Sequence, residues 1–448
     1  MEGKLNSHSV DLVVEGRCYI NGIISECAIA VDEGKIVAIG KPVNMPKADS
    51  RMSVNGKRII LPGMVDMHVH MRDLEEVHKE DWYSGSLSAL AGGVTFVADM
   101  PNNKPYIDSL ERLKLKLNIA KRKALIDFGF YVGYPSQLKE LQEMKDFGIL
   151  GIKIYPTDYN KGLERLAKSC EKLNIPIILH AEDPEIIEKQ HFEAERKVEN
   201  HHLLRPEKAE IIAIKNLLGL LSKFKTAIHF THISSFEAAS ELINAKKRGE
   251  LFTWDTCPHY FFLDHSLTLK LKGIAKTNPP LRSSMSARLL SNIVYHLLID
   301  SISTDHAPHA LEEKLRDNYD EIPSGFPGLE ICLPLLMKLI IDEKFPLEVL
   351  ELYSSKPAKI LQIPKGSLLP GLDGDLVIYD YSIRWSIHGE NFYSKAKYTP
   401  FEGMEVVGKP DTVIIRGEIA WEKGEDKVKQ GFGKYVRPYR SSNSELKI

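Results

Sequence analysis

Asp66-Met67-His68-Val69-His70-Met71-Arg72-Asp73 follows directly on the apolar run Ile59-Ile60-Leu61-Pro62-Gly63-Met64-Val65. Side chains alternate along a strand, so His68 and His70 share one face, and Arg72 falls on it as well. Two imidazoles so spaced can hold one divalent metal, with an anion-binding guanidinium beside it. Taken alone, the pattern equally suits a strand with hydrogen-bonded core histidines.

Four further segments repeat the theme, each an apolar run ending in a metal-competent or ionisable residue. Ile149-Leu150-Gly151-Ile152 ends in Lys153, and Ile175-Pro176-Ile177-Ile178-Leu179 ends in His180. Thr226-Ala227-Ile228-His229-Phe230-Thr231 ends in His232, and Leu298-Ile299-Asp300-Ser301-Ile302-Ser303-Thr304 ends in Asp305. Short continuous apolar runs are what parallel strands look like when both faces are buried. Functional residues gathered at the C-terminal ends of successive strands mark a (β/α)8 barrel.

The flanks have a different texture. Residues 1–58 hold short alternating runs broken by Gly16, Gly22, Gly34 and Gly40, which predict small antiparallel strands. Residues 59–360 alternate apolar strands with helical stretches such as Ser109 to Lys123 and Lys208 to Lys223. Residues 361–448 return to strands at Asp375-Leu376-Val377-Ile378-Tyr379 and Asp411-Thr412-Val413-Ile414-Ile415-Arg416. The expected architecture is an α/β TIM barrel, 59–360, with a small β-sandwich formed jointly by the N- and C-terminal segments. The last dozen residues are polar and read as loosely held.

Composition narrows the function classes. Hydrophobic residues make up 43% of 448, enough for a large core. A net charge of −2 argues against nucleic acid or an anionic membrane as partner. No apolar run reaches the length of a membrane span, and Met1 to His8 lacks the look of a signal peptide. Five scattered cysteines, an odd number, suggest reduced thiols and a cytoplasmic protein.

Taken together, His68, His70, Arg72, Lys153, His180, His232 and Asp305 resemble the site of the amidohydrolase superfamily. Closer still, the chain is similar to its dihydroorotases. The motifs carrying this include His78-Lys79-Glu80-Asp81-Trp82, Met100-Pro101-Asn102-Asn103, Thr277-Asn278-Pro279-Pro280-Leu281-Arg282, Asp305-His306-Ala307-Pro308-His309 and Gly325-Phe326-Pro327-Gly328. The resemblance implies two Zn²⁺ per chain, one on His68, His70 and Asp305, the other on His180 and His232. It makes Lys153 an N6-carboxylysine that bridges both, together with a hydroxide, and makes Asp305 the proton shuttle. It implies reversible hydrolysis of (S)-dihydroorotate to N-carbamoyl-L-aspartate in de novo pyrimidine (UMP) biosynthesis. His70, Arg72, Asn102, Asn278, His309, Ser324 and Gly325 fall where the family contacts substrate.

The stretch from Ala310 to Pro323 reads as a mobile loop over the site, His78 as a loop or helix-entry residue, and His259 and Asp255 as supporting residues. The resemblance leaves open a homodimer and association with aspartate carbamoyltransferase. Rival readings are a hydantoinase or dihydropyrimidinase, an allantoinase, and a non-catalytic scaffold on the same fold. The first needs no carboxylate-binding Arg72, and the allantoinase pattern carries Asn in place of Arg72.

Overall fold

The computed structural model describes residues 9–439. The readings of Met1 to His8 and of most of the last dozen residues lie outside that range. Eight parallel strands follow one another around a sheet in strict chain order. They are Met64–Val69, Val94–Asp99, Asp127–Val132, Gly151–Ile154, Ile177–Leu179, Ile228–Phe230, Thr253–Thr256 and Ser301–Ile302. The ring closes where the His70 N–H donates to the His306 carbonyl at 2.8 Å, beside a parallel bridge between Val69 and His306. The last strand is therefore tied to the first through the two site segments themselves.

A second, mixed sheet takes strands from both ends of the chain. Its hydrogen-bonded path runs Glu425–Asp426, Glu418–Glu422, Glu405–Ile415, Leu376–Ser386, Arg58–Pro62, Val10–Ile20, Ile23–Asp32 and Lys35–Gly40. Arg58–Pro62 meets Val10–Ile20 in parallel, and the antiparallel expectation also fails at Ala48–Val54, which lies parallel to the same strand. The alternation that identifies a strand carries no information on its direction, which here is set by the return through Lys41 to Lys47.

The apolar run from Ile59 to Val65 serves both sheets. Arg58–Pro62 pairs with Leu376–Ser386 in the mixed sheet, and Met64–Val69 is the first barrel strand. The switch occurs at Gly63, where a Cβ would sit 2.2 Å from Thr95 Oγ1. A side chain would push the first two barrel strands apart, so the close approach requires glycine. The two helices expected from periodicity span Leu110–Lys123 and Glu207–Leu221, the first capped by Ser109 and ending in Lys121, Arg122 and Lys123. Cap and terminal charges both suit the helix dipole. No helix among the described residues is long and apolar enough to cross a membrane.

Candidate active site

The strand ends converge on a cavity of about 180 Å³ lined by His68, His70, Arg72, Asn102, Tyr155, His180, His232, Thr277, Asn278, Asp305, Ala307 and Ser324. His68, His70 and Asp305 bring ligand atoms within 4.8 Å of one another. His70 Nε2 lies 3.0 Å and His68 Nε2 3.3 Å from Asp305 Oδ1. The other ring nitrogen of His70 sits 2.6 Å from Asn102 Oδ1. A proton on that nitrogen leaves Nε2 as the lone pair facing Asp305.

His180 and His232 stand beside this group. Their ring centroids are 4.5 Å apart, and His232 lies 5.1 Å from His68. His180 Nε2 is 2.7 Å from Glu182 Oε2, and Arg205 grips the same carboxylate in a bidentate contact. Burial works against the Glu182 anion, but Arg205 and His180 outweigh it and hold the carboxyl well below its usual range. With Nε2 bonded to Glu182, the Nδ1 side of His180 is left for a ligand. The His232 N–H donates to Asp255 Oδ1 at 2.6 Å, which fixes a backbone with φ +45°. Asp255 also takes Ser303 Oγ at 2.9 Å and His229 Nε2 at 2.9 Å. It braces the floor of the site and does not line the cavity.

The donor set suits a metal on two grounds. His68 Nδ1 and His232 Nδ1 are buried with no hydrogen-bond partner. Burial first, then neighbouring Lys153 or histidines, keeps both rings well below the usual imidazole range, so they stand neutral, as metal ligands must. Lys153 is the second ground. It is fully buried and donates to Thr231 Oγ1 at 2.7 Å, and among the described residues no carboxylate pairs with it. Burial pushes its pKa down to about 7. A buried ammonium with no carboxylate in direct contact is costly, whereas the neutral amine can be carboxylated to an anionic two-oxygen ligand.

Arg72 reaches across the mouth. Its Nε donates to Pro308 O at 3.1 Å, and its Nη2 is 3.0 Å from His309 Nε2. The same His309 nitrogen lies 3.0 Å from the Ser324 carbonyl. One ring nitrogen serves either as acceptor for Arg72 or as donor to Ser324, so the tautomer of His309 decides which contact holds. Asn278 Oδ1 is buried and has no partner on the cavity wall. Gly325 is committed elsewhere, its N–H donating to Lys276 O at 2.9 Å and its carbonyl accepting from Lys314 Nζ at 2.7 Å. Ser324, just before it, faces the cavity.

The segment read as a mobile loop is anchored through one side chain. It contains a helix at Leu311–Lys314, and the buried Lys314 ammonium donates to the carbonyls of Lys276, Pro323 and Gly325. A polar sequence reads as solvated, but one lysine turns inward and ties the loop to the carbonyls of Lys276 and Gly325 outside it as well as to Pro323 at its end. His78 is exposed, as a loop residue should be, and His259 is buried against Tyr260 and Phe326. Sequence reasoning missed Tyr155, Thr277, Arg205 and the bracing role of Glu182. The His180-Ala181-Glu182 spacing was the available signal for Glu182.

Residues 59–420 match the model of the Amidohydrolase family. A dihydroorotase of Methanosarcina acetivorans is 33% identical over 444 residues, covering 94% of this chain and 94% of its own. A dihydroorotase of Pyrococcus abyssi is 34% identical, covering 94% of this chain and 100% of its own. Among solved structures, the L-hydantoinase (dihydropyrimidinase) from Arthrobacter aurescens superposes with a TM-score of 0.90 at 28% identity, over 96% of this chain and 100% of that one.

Proposed function

The chain belongs to the amidohydrolase family, among its dihydroorotases, and from that premise we propose that it interconverts (S)-dihydroorotate and N-carbamoyl-L-aspartate in pyrimidine synthesis. The observation that carries the reading is Arg72, a guanidinium at the mouth of a histidine-rich site. Dihydroorotate is a cyclic amide bearing a carboxylate, and a planar guanidinium matches a carboxylate through two parallel hydrogen bonds. Hydantoin and dihydrouracil lack that group. Asn102 and Asn278 offer the donors and acceptors that the ring amides need.

In this proposal His68, His70 and Asp305 would hold one divalent ion and His180 and His232 a second, with Lys153, carboxylated on its amine, as the ligand they would share. Two such ions would supply Lewis acidity and make water a nucleophile near neutral pH. The chain's own residues do the rest. Arg72, Asn102, Asn278, His309 and Ser324 orient the ring, with Gly325 holding Ser324 in place. Asp305 accepts a proton from the attacking water and returns it to the ring nitrogen as the carbon–nitrogen bond breaks. In ring closure the proton travels the other way.

The division into 1–58, 59–360 and 361–448, two Zn²⁺ per chain, a cytoplasmic setting, a homodimer and docking to aspartate carbamoyltransferase belong to the same proposal. All five cysteines are buried free thiols, which suits a reducing compartment.

Ring opening assayed on dihydroorotate, hydantoin and allantoin tests the reading, with clear preference for dihydroorotate expected. A preference for hydantoin, or no turnover at all, would reject it. Arg72→Gln should lower kcat/KM on dihydroorotate at least roughly 30-fold, since a lost charge-assisted contact costs about 2–4 kcal/mol in a desolvated site. Dihydrouracil, the same ring without the carboxylate, should change little. Metal analysis should find about two divalent ions per chain, and chelation should abolish turnover until Zn²⁺ is restored. One ion or none in active protein would reject the binuclear arrangement.

A further inference from the structure

Arg72, Asp73 and Leu74 have φ values of +53°, +59° and +55°, a left-handed run without a glycine. Such a run persists only where its surroundings over-determine it. Three contacts do so. The Met71 N–H, just before Arg72, donates to Asp99 Oδ1 at 2.8 Å. The carbonyl of Arg72 itself accepts from Asn103 Nδ2. The Asp73 N–H, just after it, donates to the Glu80 carbonyl at 3.0 Å.

Two of these contacts meet at one side chain. Lys116 Nζ pairs with Asp99 Oδ2 at 2.7 Å, and it donates to Asn103 Oδ1 at 3.0 Å and to the Met100 carbonyl at 2.7 Å. It thus joins the carboxylate that fixes the His70–Met71 peptide to the amide that fixes the Arg72–Asp73 peptide. By engaging the oxygen of Asn103, it also aims the amide nitrogen at Arg72. The position is unusual for a lysine. The helix Leu110–Lys123 buries Leu113, Lys116 and Ala120, one stripe that would ordinarily be apolar throughout. A buried charge is expensive to keep, and removing its partners is worse. A lysine with two of its contacts leading to the same short segment therefore has a reason to be there.

We propose that Lys116, acting through Asp99 and Asn103, is a positioning residue that sets the direction of Arg72 and so the preference of the site for a ring substrate bearing a carboxylate. The inference rests on the reading of Arg72 as the carboxylate-binding residue. Lys116 touches neither the cavity nor any candidate metal ligand. Its influence on the reaction passes through the orientation of one guanidinium.

The test compares wild type, R72Q, K116M, N103A and the R72Q/N103A double variant on dihydroorotate and on dihydrouracil, with metal content measured in each. K116M and N103A should raise KM for dihydroorotate by about ten- to a hundredfold, the scale of a misplaced contact, while dihydrouracil turnover stays within about twofold. Metal content should match wild type, and N103A should add little to R72Q. If K116M does not fold, N103A decides alone, because it leaves the Lys116–Asp99 pair in place. Equal losses on both substrates in N103A, or no loss, would overturn the positioning role while leaving Arg72 in place. An unselective R72Q would instead remove the reading on which the role depends.

Discussion

Replacing Asp305 with asparagine should lower turnover by at least about a thousandfold, within the range assigned to a positioned acid–base group, while much of the bound metal remains. Asp305 sits at the end of the last barrel strand with its Oδ1 3.0 Å from His70 Nε2 and 3.3 Å from His68 Nε2. Its backbone is left-handed, φ +48°. Asparagine tolerates that conformation about as well as aspartate does, so the loop through His306 need not move. The amide keeps one oxygen as a ligand but cannot accept a proton, so ligation and proton transfer are pulled apart. Turnover and metal content, measured on the same preparation, separate them. Lost activity with retained metal assigns the proton work to Asp305. Parallel loss of metal would show that the variant removes ligation as well and does not separate the two roles, and turnover within a few-fold of wild type would place the proton carrier elsewhere.

The legibility of this site follows from geometry. His68 and His70 could be found because a strand's alternation is the simplest periodicity in protein structure, and the remaining strand-end residues because a parallel barrel collects them at one rim. The sequence is silent on charged residues that turn inward away from the strand ends. Lys116 sits among Lys114, Lys121, Arg122 and Lys123 in a helix that looks solvated, and only the fold reveals that it alone is buried. Lys314 misleads in the same way: a polar stretch reads as a free loop until its ammonium is seen bonded to three backbone carbonyls. Ala48–Val54 was legible as a strand but not as a parallel one, since its direction depends on where the chain returns. Glu182 lay in plain sight two residues beyond His180, yet its role depends on Arg205, which is 23 residues away in the chain.

Lys153→Ala should be the most informative single change, because no ordinary structural role accounts for the residue. Its amine is fully buried with a hydroxyl as partner and no paired carboxylate among the described residues. With its pKa pushed down to about 7 by burial, the amine is substantially neutral at physiological pH. The neutral form is the one that attacks CO2. Carbamate forms as the nitrogen bonds to carbon and a proton is released, so carboxylation is favoured above that pKa and fails as pH falls below it. Gentle mass measurement of the intact protein should therefore find about 44 Da beyond the chain mass, the increment of one CO2. Protein stripped of CO2 at low pH should recover activity faster in bicarbonate above pH 7 than below it. The alanine variant should lose nearly all turnover and much of its second metal. It should still fold, since Thr231 Oγ1 keeps its bond to the Leu179 carbonyl at 3.1 Å. The space vacated should admit a small carboxylic acid, and added acetate or propionate should restore part of the activity by supplying the missing anion. Wild-type turnover in the alanine variant, or an unmodified mass in fully active enzyme, would mean that the buried amine at the centre of the barrel is not a metal ligand.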